Sequence, residues 1–192
     1  LKNLPGPESI HRKVFANGIT LLTFSNFHTH SVDIVGMLDV GAAADPKDKL
    51  GLAHFVASML SRGTQKKDFQ TYHDLLESHG ASLTFSCGDL HSWLRGKALA
   101  EDAEMLIALA AESIRQPAFP SEYVERLRSQ LIANLAIRDE DTAEVASMLF
   151  DRALFPSHPY GEPADGFVET IQTITKNDLL SFHSSYFKPQ GM

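Results

Sequence analysis

The sequence predicts an α+β fold, a mostly antiparallel sheet with helices packed on one face. Three observations carry this. Two turn signals, Asn17-Gly18 and Gly88-Asp89, each sit between apolar or alternating arms and mark hairpins. Strands and helices come in blocks, without the strict alternation of a parallel α/β sheet. The second half is almost wholly of helical period.

The elements follow in order. Lys13 to Phe24 holds two apolar arms about Asn17-Gly18, a favoured pair for a two-residue hairpin loop. Val32 to Val40 reads as a further strand, and Gly41 to Lys49, small and charged with Pro46, as a loop. Gly51 to Arg62 places Leu52, Phe55, Val56, Met59 and Leu60 on a helical period that Gly63 stops. Asp68 is set to cap a helix carrying Phe69, Tyr72, Leu75 and Leu76, which Gly80 closes. Ala81, Leu83, Phe85 and Cys87 share one face of an alternating strand, and Ser92 to Leu99 pairs with it across Gly88-Asp89. Glu101 to Arg115 is a helix ended by Pro117; Ser121 opens a long one through Leu127, Leu131, Leu135 and Ile137; Thr142 to Leu154 is a third, ended by Pro156. Thr175 and Asp178 form a capping pair before Leu179, Leu180 and Phe182. With no repeat and no low-complexity linker, residues 1–192 are expected to form a single domain.

Composition narrows the function. The 192 residues are 43% hydrophobic and 21% charged, an ordinary balance for a chain with a real core. No apolar run reaches the roughly 18–20 residues of a membrane span. A net charge of -7 repels phosphate backbones and argues against a nucleic-acid partner. The single cysteine, Cys87, forms no internal disulfide, and its place in an alternating segment reads as a small core residue, not a nucleophile.

The stretch from Gly51 to Thr64 resembles the signature helix of the insulinase (pitrilysin-type) zinc peptidases, which in active members reads roughly G-x-A-H-F-x-E-H-M-x-F-x-G-T. Gly51, Ala53, His54, Phe55, Met59, Gly63 and Thr64 match it. The likeness runs on through Asn17-Gly18, Gly41, Glu77 to Ala81, Pro120, His158-Pro159-Tyr160-Gly161 with Gly166, and Ile174-Thr175 to Tyr186, so it covers nearly the whole chain. It implies the fold of a processing-peptidase-like metallohydrolase half. The chain ends at Met192, where the family would begin another strand, so it is expected to be the N-terminal half of a protein about twice as long.

The chemistry of the signature is altered. A catalytic zinc needs three protein ligands and an open position for water. Two ligands at i and i+4 share a helix face, and in the inverted motif H-x-x-E-H the carboxylate between them is the general base. In the family a glutamate on the long downstream helix is the third ligand. Here His54 holds the first ligand position, Ala57 the base position and Ser58 the second ligand position. Aligning the long helix by the acidic turn Asp139-Glu140-Asp141 puts the third near Asn134, and no Glu lies between Glu125 and Glu140. The resemblance therefore implies no catalytic residue, no bound metal and no cofactor where active relatives carry zinc.

Other candidates read more simply as structure. His54 is expected to be a packed or hydrogen-bonded histidine, and His28 and His30 an exposed pair near a strand end. His73 and Glu77 stand at i,i+4, a ligand spacing, but with no third ligand they read as a surface pair. His79 lies at a helix end, where a cation suits the dipole. Asp139 to Asp141 reads as a solvated turn, and His158 as part of a structural loop.

Some relatives divide the work between a zinc-bearing chain and one that has lost the motif and helps bind extended substrate; mitochondrial processing peptidase and several bacterial pairs resemble this arrangement. The expectation is a non-catalytic subunit that shapes a peptide-binding chamber with a zinc-bearing homologous partner, in a bacterial cytoplasm or periplasm sooner than a mitochondrion. Two rivals stand beside it: an active metalloendopeptidase with a rearranged metal site using His28, His30 or His73, and a structural protein like the core proteins of respiratory complex III.

Overall fold

A computed structural model describes residues 6–189. Strands β1 (Ile10–Val14) and β2 (Thr20–Phe24) form an antiparallel hairpin, with Val14 opposite Thr20. Its loop is longer than the expected two residues. Phe15 N–H donates to Ile19 O at 2.9 Å, and Gly18 takes φ 93°. Ala16 to Gly18 thus form a three-residue loop whose last residue is left-handed, a conformation that glycine adopts without strain. This hairpin stands as its own two-stranded sheet.

Strands β3 (Ser31–Leu38), β4 (Ser82–Cys87) and β5 (Ser92–Leu99) form a second antiparallel sheet in the order β3-β5-β4. The β4-β5 hairpin is as expected, but β5 also takes β3 on its other edge, with Ile34 opposite Gly96 and Leu38 opposite Ser92. Alternation gives the sheet two unlike faces. Leu38, Leu83, Leu94 and Ala98 are buried, whereas Asp33, Val35, Thr84, Arg95 and Lys97 are exposed. Gly96 lies on the buried face, where a Cβ would meet Leu106 at 3.2 Å.

Helices α1 (Leu52–Met59), α2 (Phe69–Ser78) and α3 (Ala103–Arg115) pack on that one face; α4 (Ser121–Glu140) and α7 (Lys176–Tyr186) pack against α1, and α5 (Thr142–Leu154) and α6 (Val168–Thr173) against α4. The expected α+β architecture with helices on one sheet face holds. α6 was not foreseen; it is six residues long and carries one buried apolar residue, Ile171, too little for a periodic signal. α7 starts at the expected capping box, in which Asp178 N–H donates to Thr175 Oγ1 at 3.2 Å and Thr175 N–H donates to Asp178 Oδ2 at 2.7 Å.

One hydrophobic core joins sheet and helices, and α1 lies at its centre, against β4, α4 and α7. Phe55, Met59, Leu106, Leu135, Ile171 and Leu179 are each fully buried. Each such side chain contributes about 1.5–3 kcal/mol by leaving water. Tyr72 is also fully buried, and its hydroxyl is satisfied by Ser113 Oγ at 3.1 Å.

The loop before α6 fastens the start of α1. Thr170 Oγ1 donates to Leu50 O at 2.7 Å, and Arg138 on α4 donates to Asp165 Oδ1 at 2.7 Å and to Gly166 O at 2.9 Å. Gly166 (φ +74°) and Gly51 (φ +90°) meet there so closely that a Cβ on Gly51 would lie 2.6 Å from Asp165 O. Among the described residues, no helix is long and apolar enough to cross a membrane.

Candidate functional site

Six of the eight α1 residues are buried; His54 and Ser58 are the two that are not. They stand four residues apart, so they share one helix face, and that face opens on a cleft of about 390 Å³. Across it α4 presents Leu127, Gln130, Leu131 and Asn134, again at spacings of three and four. β4 supplies Leu83, Thr84 and Phe85, α2 supplies His73, and the chain just after α1 supplies Ser61 and Arg62. The fold thus brings His54, Ser58 and Asn134 together. The fourth position, Ala57, is 1% exposed and is not part of the lining.

The donors at the three motif positions are an imidazole, a hydroxyl and a carboxamide, and His73 adds a second imidazole to the cleft. Zinc sites are built from thiolate, imidazole and carboxylate, so this set does not fit a catalytic zinc, and no carboxylate lines the cleft to accept a proton from water. Among the described residues, no three His, Cys, Asp or Glu side chains are placed to hold one metal ion.

Burial holds the His54 imidazole below its usual pKa, partly opposed by the Asp165 carboxylate, so the ring is neutral near pH 7. Arg138 in turn pairs with Asp165. Ahead of α1, Asp45 accepts from Gly51 N–H and Ala53 N–H, each at 2.8 Å. Burial pushes its carboxyl up to about 7 against those hydrogen bonds. Burial likewise pushes the Cys87 thiol up to about 11, which suits a packed thiol and not a nucleophile.

The other candidates separate. His28 and His30 are exposed in the turn between β2 and β3 and do not line the cleft. His73 is not the expected surface partner of Glu77. It is half-buried in the cleft, packs on Phe69 at 4.2 Å and bonds through Nε2 to Ser61 O at 3.1 Å, while Glu77 is exposed elsewhere on α2. His79 ends α2 and meets Asp102 Oδ1 at 2.6 Å. The acidic turn is a tight junction: Asp139 pairs with Arg138 at 2.9 Å, and Asp141 caps α5 by accepting from Ala143 N–H at 2.8 Å. His158 caps a 3-10 turn at 159–161 by accepting from Tyr160 N–H at 3.2 Å.

Sequence reasoning missed Arg62, Gln130 and Asp45. Arg62 follows Ser58 by four residues and Gln130 precedes Asn134 by four, so both continue the faces that His54 and Asn134 define. That spacing was the available signal. Asp45 gave none, because its capping of α1 spans a loop and not a local turn.

Comparisons with known proteins agree with this geometry. The sequence model of the insulinase family, peptidase family M16, matches residues 21–165. An uncharacterized zinc protease of Mycobacterium leprae is 24% identical over 181 residues, 94% of this chain and 41% of the relative. A non-peptidase homolog, YmxG, of Helicobacter pylori is 26% identical over 148 residues, 77% of this chain and 34% of the relative. The crystal structure of a peptidase M16 inactive domain from Pseudomonas fluorescens superimposes with a TM-score of 0.86 at 23% identity, covering 91% of this chain and 43% of that one. The chain therefore spans less than half the length of these relatives. A family match across most of the sequence, on the fold and around the cleft just described, means that this chain belongs to the insulinase family of peptidases, family M16.

Proposed function

We propose that this chain is the N-terminal domain of a non-catalytic subunit that helps form the peptide-binding chamber of an insulinase-family processing peptidase. A homologous partner with an intact H-x-x-E-H helix would carry the zinc and cut. One observation carries this reading: His54, Ser58 and Asn134 line a single open cleft and present one good zinc ligand between them. The scaffold is kept while the chemistry is lost, which is the pattern of a binding partner. The bacterial relatives favour a bacterial cytoplasm or periplasm over a mitochondrion.

A second reading rests on His73, which shares the cleft with His54 and gives it two imidazoles. An active peptidase with a rearranged metal site would need a third ligand there. Cleavage of a fluorogenic peptide decides between them, measured with the protein alone, with the zinc-bearing homologue alone and with both. The proposal expects no turnover by the protein alone and a faster rate for the pair than for the homologue alone. Turnover by the protein alone that is lost in His54→Ala would establish the rearranged site. A stable pair with no gain in rate would leave a purely structural role.

A further inference from the structure

Of the eight arginines of this chain, three form ion pairs among the described residues, and two of the other five share a cavity. Arg128, Arg138 and Arg152 each reach a carboxylate, at 3.0, 2.7 and 3.0 Å. Arg62 and Arg126 form no ion pair among the described residues, yet both line one cavity of about 360 Å³ between the end of α1 and the first turns of α4. The Arg62 Nε is buried without a hydrogen-bond partner among the described residues. Buried guanidinium nitrogens are ordinarily satisfied, so Arg62 holds hydrogen-bonding capacity that nothing among the described residues uses.

The two guanidinium groups are held by aromatic faces. Arg62 lies 5.7 Å from the centre of the Phe69 ring and Arg126 lies 5.6 Å from that of Tyr123, and these two rings stack on each other at 4.6 Å. The aromatic pair leaves the planar N–H forks free for another acceptor. The cavity adjoins the cleft of His54 and Asn134, sharing Arg62, Leu127 and Gln130 with it. Neither cavity is lined by any carboxylate, although the chain carries a net charge of -7.

We infer that the Arg62–Arg126 cavity binds a carboxylate of a peptide lying in the adjoining cleft, either the peptide's C-terminal carboxylate or an acidic side chain. A guanidinium fork matches the two carboxylate oxygens with two parallel N–H bonds. Gln130, at the junction of the cavities, is placed to donate its amide N–H to the same group or to the peptide backbone. This rests on the peptide-chamber reading and adds a sign to it: the chain selects negatively charged segments.

The test is calorimetric titration of the protein with three versions of one short N-acetylated peptide: a neutral sequence with a free C-terminus, the same sequence amidated, and the amidated sequence with one glutamine changed to glutamate. Binding of either carboxylate form at least about tenfold tighter than the neutral amide is expected, and the stronger of the two identifies the source of the carboxylate. Arg62→Gln and Arg126→Gln are each expected to remove most of that preference, and Arg126→Gln, which lies outside the cleft lining, to leave binding of the neutral amide unaffected. Arg126 is exposed on α4, so its variant tests the site even if Arg62→Gln is poorly folded. Equal binding of all three peptides would overturn the carboxylate site and leave the peptide-chamber reading standing. Binding of none would overturn it also, and the cleavage assay with the partner would then judge the chamber separately. A preference that survives Arg126→Gln undiminished would place the carboxylate elsewhere.

Discussion

Asp45 Oδ1 accepts the Ala53 N–H at 2.8 Å, one residue ahead of His54. Its second oxygen accepts from Gly51 N–H, so a half-buried carboxyl group satisfies the amino end of the central helix that the left-handed Gly51 leaves without a side-chain cap.

This arrangement predicts an unusual pH dependence. The Asp45 carboxyl titrates at about 7 in the folded state, against an ordinary value of 3.8. Between those values the folded protein holds a proton that the unfolded chain releases. This group's contribution to stability is therefore full below the unfolded value and lost as pH rises towards 7. Urea unfolding is expected to show this loss across the window. Asp45→Asn is expected to be less stable at low pH by about 1–2 kcal/mol, since an amide NH₂ faces a backbone donor, and to have a flatter profile. A variant with an equally steep profile would show that another group titrates.

The loop that holds α1 makes a second prediction. Gly166 takes φ +74° and faces Leu50 O, so Gly166→Ala adds both strain and a clash with backbone. It should lower stability by on the order of 2–3 kcal/mol or more in thermal unfolding. Arg138→Met, which keeps the stem but removes the bonds to Asp165 and Gly166 O, should lower it by roughly 1–3 kcal/mol. Because both act on one loop, their effects should fall short of additive in the double variant.

Cys87 offers a third. With its thiol pushed up to about 11 by burial, the native protein should react with iodoacetamide far more slowly at pH 8 than the same protein in urea. Equal rates would mean an accessible thiolate and would contradict its place on the covered sheet face.

Much of the fold was legible in the sequence because its signals are local. The Thr175–Asp178 box, the Asp68 cap and the alternation of Leu83, Phe85 and Cys87 each depend on residues a few positions apart. The insertion of β5 between β3 and β4, and the separation of the first hairpin from that sheet, depend on pairing across more than fifty residues, which no local period encodes. The site divides in the same way. His54 and Ser58 could be placed on one face from their spacing, and the family likeness supplied Asn134. The convergence of His73 on that face could not be read, because it is set by how α2 docks against α1.

Zinc affinity can be built back to test the geometry. Ser58→His and Asn134→Glu, together with His54, would put three zinc ligands round one cleft, and the double variant is expected to gain zinc binding in a competition titration. No gain would mean that α4 presents a different residue to the cleft. Adding Ala57→Glu puts a carboxylate at a position only 1% exposed, so the triple variant should unfold more easily, by about 3 kcal/mol, unless the bound metal offsets it.

The zinc content of the unaltered protein, measured by atomic emission after exposure to excess zinc and desalting, bears most directly on the loss of the metal site. Only traces are expected, unchanged by His54→Ala. One ion per chain, lost when His54 is replaced, would show that the cleft holds a working metal after all.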